Sequence, residues 1–348
     1  MKIERAKISP KGFVVVVVLS VVGLLAVLLL GFSYKARASL RAADNYQKSQ
    51  QALNCARAGL NIAIAAIRSN APLEKNSILD SRYSISSDER RASSIEALLS
   101  GETTFPFDDG SCSIVVTDES GKLNINLLID KDDKPDRSKI DQLLRLIDTL
   151  NRSRTDQDNM AWVGYGIAPA ILDWMDNNEQ VVLLPFITRE NLGAESDYYA
   201  GLEPPYKCAN RPFNTIQELL LVKGVTPEVF ERIRDGLTVG GDGKININTA
   251  PKPVIESLSE NMDSALAQMI VERRKAKPYE SIMELRDVPG MTDNIYSSIR
   301  DKVTLNPTDQ YYLVKSCGNV GMLNRTVAAV LRKNMQEKTV DIVLYREI

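Results

Sequence analysis

Oxygen-bearing side chains crowd two stretches of this sequence. Asp173, Asp176, Asn177 and Asn178 fall in ILDWMDNNE (171–179), and Glu195 and Asp197 in GAESDYY (193–199). Hard cations such as Ca²⁺ take six to eight oxygens from carboxylates, amide side chains and carbonyls. Asp173, Asp176, Asn178, Glu195 and Asp197 are therefore the candidate ligands for such an ion. The chain contains no histidine. That removes Ser-His-Asp and Cys-His nucleophile pairs and every His-ligated zinc or iron site. A bound metal would be held mainly by oxygen or by cysteine.

The remaining reactive types form no catalytic set. The acidic run Asp130–Asp136 lacks the sixth-place Gly and closing Glu of a calcium loop, and reads as a polar linker. Gly-Gly-Asp-Gly at 240–243 is a turn, since no Gly-Lys-Ser/Thr follows it. Cys55, Cys112, Cys208 and Cys317 show no CxxC spacing, so zinc is not expected. Four cysteines allow three complete pairings, and spacing does not choose among them. Cys112 and Cys317 fall on strand candidates and are either neighbours or buried free thiols. The expectation is a non-enzymatic protein.

The elements that position these groups begin with one uneven segment. Overall the 348 residues are 25 % charged and 44 % hydrophobic with net charge −2, an ordinary globular balance. Residues 13–32 carry no charge across 20 positions, enough to cross a hydrocarbon core of about 30 Å as a helix. The leader before them holds Lys2, Arg5, Lys7 and Lys11 against Glu4, an excess that keeps it cytoplasmic. The run exceeds the apolar region of a cleaved secretory signal. Beyond it, Leu53, Ala56, Leu60, Ile64 and Ile67, preceded by Ala38, Ala42 and Tyr46, keep to one helical face. One long helix from about 13 to 69 is predicted, lipid-embedded first and packed on a soluble domain later.

A basic leader ending Lys11-Gly12, then Phe13, an apolar run and a long amphipathic helix resembles the class III signal of type IV pilins and type II secretion pseudopilins. The resemblance implies cleavage between Gly12 and Phe13 by a prepilin peptidase and methylation of Phe13. It also implies a Glu at the fifth mature position, where this chain has Val17. A carboxylate in lipid costs about 2.5–3.5 kcal/mol unless partnered. In the family its partner is the N-terminal amine of a neighbouring subunit. Lack of that Glu points to the general secretion pathway protein K family.

Strands are predicted at Arg82–Ile85, Cys112–Thr117, Lys122–Leu127, Tyr311–Cys317, Thr326–Arg332 and Thr339–Arg346. Between them an internal repeat appears: residues 212–233 align without gaps on 278–299. Identical pairs include Glu218/Glu284, Gly224/Gly290, Thr226/Thr292 and Ile233/Ile299. Each copy reads as a helix, a tight turn at Gly and a second helix capped by Thr. The pattern resembles the helix-hairpin-helix module, which often binds DNA. A membrane-anchored periplasmic DNA receptor is thus the rival reading. Yet residues 205–305 carry 14 basic and 14 acidic side chains, and phosphate attraction needs a positive excess. Protein contact is the better expectation, with no nucleic acid. GKLNIN (121–126) and GKININ (243–248) add a shorter echo.

Residues 171–179, 193–233 and 245–251, with the leader and the C-terminal LYRE, resemble the protein K family of minor pseudopilins over nearly the whole chain. The predicted fold is α+β: a long N-terminal transmembrane and amphipathic helix on a small, pilin-like antiparallel sheet, with a large, mostly helical insertion. The expected segments are a leader (1–12), a span (13–32), a stem with first strands (33–134), the insertion (135–305) and closing strands (306–348). The resemblance implies a single-pass inner-membrane protein with a periplasmic head, at the tip of a pseudopilus, initiating and capping its assembly. It implies other tip pseudopilins, the prepilin peptidase and the inner-membrane secretion platform as partners. It also implies calcium in the large domain. A minor pilin of a type IV pilus would share the leader.

Overall fold

The computed structural model describes residues 10–69, 103–108, 110–153, 161–187, 190–305, 307, 309–334, 337 and 339–348. The strand predicted at Arg82–Ile85 and residues 1–9 of the leader lie outside them. Helix α1 runs unbroken over Pro10–Ser69, with Gly12 and Phe13 near its start. Its apolar residues from Val14 to Phe32 are exposed on every side, as a lipid-facing helix requires. The predicted apolar face is covered only in its second half. Leu53, Ala56, Leu60 and Ile67 are buried and Ile64 is half-buried, whereas Ala38, Ala42 and Tyr46 remain exposed.

The cover is a five-stranded antiparallel sheet in the order β1 to β5: β1 (Thr103–Phe107), β2 (Gly110–Asp118), β3 (Asp309–Val320), β4 (Leu323–Asn334) and β5 (Thr339–Glu347). Four predicted strands fall within β2 to β5. β1 was not anticipated, because Pro106 argues against a strand; an edge position tolerates it. Ile114, Val116, Val314, Val327, Ala329 and Leu331 alternate toward α1 and are buried. Helix and sheet meet at backbone distance. A Cβ on Gly318 would lie 1.9 Å from the Ala52 carbonyl oxygen, and one on Gly59 would lie 2.2 Å from Ser316 Oγ. Each large apolar side chain buried here, such as Leu60 or Ile67, contributes about 1.5–3 kcal/mol.

Strand register settles the cysteines. Cys112 opposes Gly318 and Cys317 opposes Ser113. One residue out of step, the two side chains point to opposite faces of the sheet. Cys112, Cys208 and Cys317 are free thiols.

Register also locates the large insertion. Gly318 touches α1 at Ala52, while Lys333, opposite Gln310, donates from Nζ to the carbonyl of Ile67 near the helix C-terminus. β2 ends at Asp118 opposite Tyr312. The chain therefore leaves the sheet at the end farthest from the apolar span. From Phe32 to Ile67, α1 rises about 50 Å.

The insertion begins at Glu119 rather than at the expected 134/135 boundary. Leu123, Ile125 and Leu128 already belong to its core, which is separate from the sheet–helix core. The predicted strand Lys122–Leu127 is corrected with it. Within it only Leu123–Asn124 pair as a strand, in parallel with Leu237–Thr238 and between two 3-10 turns. Alternation in KLNINL imitates a strand, but Asn124 accepts from the Asn126 amide and turns the chain. Helices α2 (Arg137–Arg152), α3 (Ile167–Met175), α4 (Ser196–Ala200), α5 (Pro227–Ile233), α6 (Lys252–Ser257), α7 (Ser264–Ala276) and α8 (Asp293–Ile299) pack around the second core.

The repeat is structural. Thr215 with Glu218, and Ser281 with Glu284, form matching capping boxes. The first helix of each hairpin is a 3-10 helix, Ile216–Leu221 or Ile282–Asp287, rather than an α-helix. Gly224 and Gly290 turn at φ +83° and +87°, a left-handed conformation that favours glycine. Thr226 and Thr292 then cap α5 and α8. The GKLNIN echo belongs to the same duplication. Asn126 exchanges two hydrogen bonds with the backbone of Phe213, and Asn248 exchanges the same two with Tyr279. Ile245–Asn246 pairs with Val303–Thr304 as Leu123–Asn124 pairs with Leu237–Thr238.

Candidate metal centre

Inside the first repeat unit, between Asn126 and Phe213, the chain detours through α2, α3 and α4, and the acidic residues lie there. Asp173 is buried near the end of α3, held by the apolar run Ile167–Leu172 and by Trp174. Asp176 follows at the helix end, where its Oδ1 accepts the Asn178 amide at 3.1 Å. Glu195 precedes α4 without capping it. One carboxylate oxygen from each of Asp173, Asp176 and Glu195 lies within 4.8 Å of the others.

These three side chains are 0 %, 3 % and 4 % exposed. Asp173 Oδ1 accepts the Val182 amide at 2.8 Å, but its Oδ2 and both oxygens of Glu195 have no hydrogen-bond partner among the described residues. Leaving buried carboxylates unpaired is costly. Burial first, then mutual repulsion, pushes the Glu195 carboxyl up to about 8. Burial pushes Asp173 up to about 6, and Asp176 rises for the same reason. Trp174 stacks with Phe213 and meets Tyr199 and Tyr206 edge-on, which makes a dry wall beside Asp173. Gly193 closes the other side. A Cβ there would sit 1.9 Å from Asp173 Oδ2.

Converging, unpartnered oxygens fit a hard divalent cation, which a bare carboxylate cluster would otherwise replace with protons. Of the predicted ligands, Asp173, Asp176 and Glu195 are brought together. Asp197 is not, and Asn178 stands at the edge of the cluster, its side chain hydrogen-bonded to Asp176. Asn178 is exposed, its side chain accepting the Gln180 amide, and Asp197 is exposed in α4. Local spacing proposed Asp197 as well, but its position in α4 leaves it in solvent.

Sequence reasoning missed the supporting groups. Glu179 accepts from Ser196 and Asn210, which ties the loop after α3 to α4. Asp133, from the run read as a linker, accepts the Asn177 amide. The rest of that run is local. Asp130 accepts the amides of Asp132 and Lys134, and Asp136 caps α2. Lys223, beside the hairpin glycine, donates to the carbonyls of Leu192 and Gly193.

Both profiles of type II secretion system (T2SS) protein K match this body, one over residues 121–241 and the other over 245–306. Together they cover more than half the chain. The chain belongs to the type II secretion system protein K family. It is a minor pseudopilin, a structural part of a secretion system rather than an enzyme. The protein K of Pseudomonas aeruginosa is 26 % identical over 273 residues, which span 78 % of this chain and 74 % of that one. The protein K of Aeromonas hydrophila is 29 % identical over 154 residues, 42 % and 44 % of the two chains. In fold, the chain resembles one from the crystal structure of the GspK-GspI-GspJ complex of enterotoxigenic Escherichia coli. The TM-score is 0.62 at 20 % identity, covering 89 % of this chain and 99 % of that one.

The basic cluster Arg273-Arg274-Lys275-x-Lys277 is largely committed within this protein K fold. Arg273 binds Glu284, Arg274 donates to the Ile247 carbonyl, and Lys277 pairs with Glu280.

Proposed function

We propose that this chain forms the tip of a periplasmic pseudopilus, initiating and capping the filament. The observation that carries the reading is the place of the helical body. It leaves the sheet at the membrane-distal end, about 50 Å along α1 from the apolar span, where it obstructs a subunit stacked above. Val17 supports the same end position, since it offers no carboxylate to a neighbour's amine. The chain is made with its leader in the cytoplasm and is anchored in the inner membrane by residues 13–32. The prepilin peptidase cuts between Gly12 and Phe13. Two further minor pseudopilins, the counterparts of GspI and GspJ in the similar complex, pack against the uncovered stretch of α1 between Tyr34 and Tyr46. The inner-membrane secretion platform receives the assembly.

Asp173, Asp176 and Glu195 hold Ca²⁺ in this reading. A bound divalent cation neutralises the buried charge and ties the end of α3 to the start of α4. Mass spectrometry of the mature chain tests the processing: methylated Phe13 is expected, and an N-terminus at Met1 or Ser39 overturns it. Immunogold labelling of a tag in the helical body tests the position. One label at a single filament end is expected, and label along the shaft refutes tip placement.

A further inference from the structure

A second site lies away from the acidic triad. A cleft of about 460 Å³ opens between α2 and the segment formed by α6 and the turn after it. Arg145, Asp148 and Arg152 line one wall, Glu256 and Glu260 the other, and Trp162 stands at the rim. That volume is in the range of ligand-binding clefts.

The side chains inside are unequal. Glu256 is 6 % exposed and pairs at 2.9 Å with Arg152, whose own side chain is 68 % exposed. A buried carboxylate is thus held by a long, solvated arginine that loses side-chain freedom in holding it. Arg145 is committed to structure, donating from Nε to the Ser257 carbonyl at 2.7 Å. Lys302 donates to the next carbonyl, Leu258, at 3.1 Å. Two cations already gather at the carbonyl end of α6, as its dipole favours. Asp148 accepts from Tyr165, and Glu260 interacts electrostatically with the Arg145 guanidinium across the cleft. With Arg152 swung away, Asp148, Glu256 and Glu260 outnumber the remaining cation, Arg145, in a cleft that the exposed Trp162 also lines.

We propose that this cleft binds an arginine side chain of another protein, which displaces Arg152 from Glu256 and stacks on Trp162. A guanidinium satisfies both demands, pairing in plane with a carboxylate and lying flat on an aromatic ring. Arg152 is the resident stand-in that keeps Glu256 paired until the ligand arrives. This chemistry is independent of the metal centre and of the filament position.

The test uses the full chain in detergent, titrated with N-acetyl-arginine amide and, separately, N-acetyl-glutamate amide. Trp162 and the buried Trp174 are the chain's two tryptophans, so fluorescence reports on the rim. The arginine amide is expected to saturate the signal, and the glutamate amide to leave it unchanged. Calorimetry on Glu256→Gln is expected to show binding weakened about ten-fold or more. Trp162→Ala, an exposed substitution, is expected to weaken it about three-fold or more. Arg152→Ala removes the competitor and is expected to tighten binding about five-fold. No saturation with the arginine amide, equal binding of the glutamate amide, or weaker binding by Arg152→Ala would overturn the proposal.

Discussion

The two hairpin repeats share capping boxes, turn glycines, Thr caps and Asn clamps, yet only one adjoins the acidic triad. In the second unit the chain passes from Asn248 to Tyr279 in 31 residues, through α6 and α7. In the first it takes 87 residues from Asn126 to Phe213, and the excess carries Asp173, Asp176 and Glu195. At the hairpin position where the first copy has Lys223, bonded to the Leu192 and Gly193 carbonyls, the second has Pro289. Duplication supplied a rigid frame; the detour supplied the candidate site, and the frame braces it.

The largest expected effect separates the copies outright. Saturating Ca²⁺ at 100 times its dissociation constant stabilises by about 2.7 kcal/mol, or roughly 5–10 °C in melting temperature for a body of this size. Glu195→Gln should abolish that rise while leaving the metal-free melting temperature at pH 8 unchanged or higher, since it removes a strained charge. Glu284→Gln, in the second copy, should keep the full rise. Equal calcium responses from the two variants would break the comparison.

Proton linkage gives the next effect. Asp173 and Glu195 have folded-state pKa values raised to about 6 and about 8. Their unfolded values lie near 4, so the folded chain holds more protons between about pH 4 and 8. Metal-free stability should therefore fall as pH rises through that window, and the calcium-induced rise should grow, because protons no longer compete. Thermal melts from pH 5 to 8, with and without chelator, check the sign. Glu195→Gln should flatten the upper half of the metal-free slope. A metal-free chain that gains stability from pH 5 to 8 would refute the account.

Effects common to both copies come next. Gly224→Ala and Gly290→Ala each force a side chain into positive φ, at about 1–2 kcal/mol. Chemical denaturation should show similar losses for the two. Thr226→Ala and Thr292→Ala should each cost about 1 kcal/mol through the lost cap. The smallest effect is again one-sided: Lys223→Met should weaken calcium binding about three-fold by loosening the loop at Gly193. Calorimetry showing unchanged affinity would detach the frame from the site.

Much of the fold was legible because its signals are local. Alternation marked β2 to β5, since period two is written in consecutive residues. β1 was hidden by Pro106, which only the edge position excuses. The strand read at 122–127 was an error of the same kind, alternation without a partner of matching length. The body boundary was misplaced because Leu123, Ile125 and Leu128 look equally suited to either core. At the candidate site, acidic composition named Asp173, Asp176 and Glu195 but did not reject Asp197, which α4 leaves in solvent. Rejection needs the direction of each side chain. Asp133, Glu179 and Gly193 carried no signal at all, because their roles are contacts across a loop.

By itself, the sequence determined what depends on neighbours along the chain: the charge-free span, the unbroken helix, the duplicated hairpin with its glycine and caps, and the absence of imidazole chemistry. Tertiary structure alone decided which carboxylates meet, which cysteines face apart and from which end of the sheet the helical body emerges. Hydropathy and turn preference act over a few residues. Cluster geometry and strand register arise only when distant segments pack, and packing set Cys112 and Cys317 on opposite faces while closing Asp173 against Glu195.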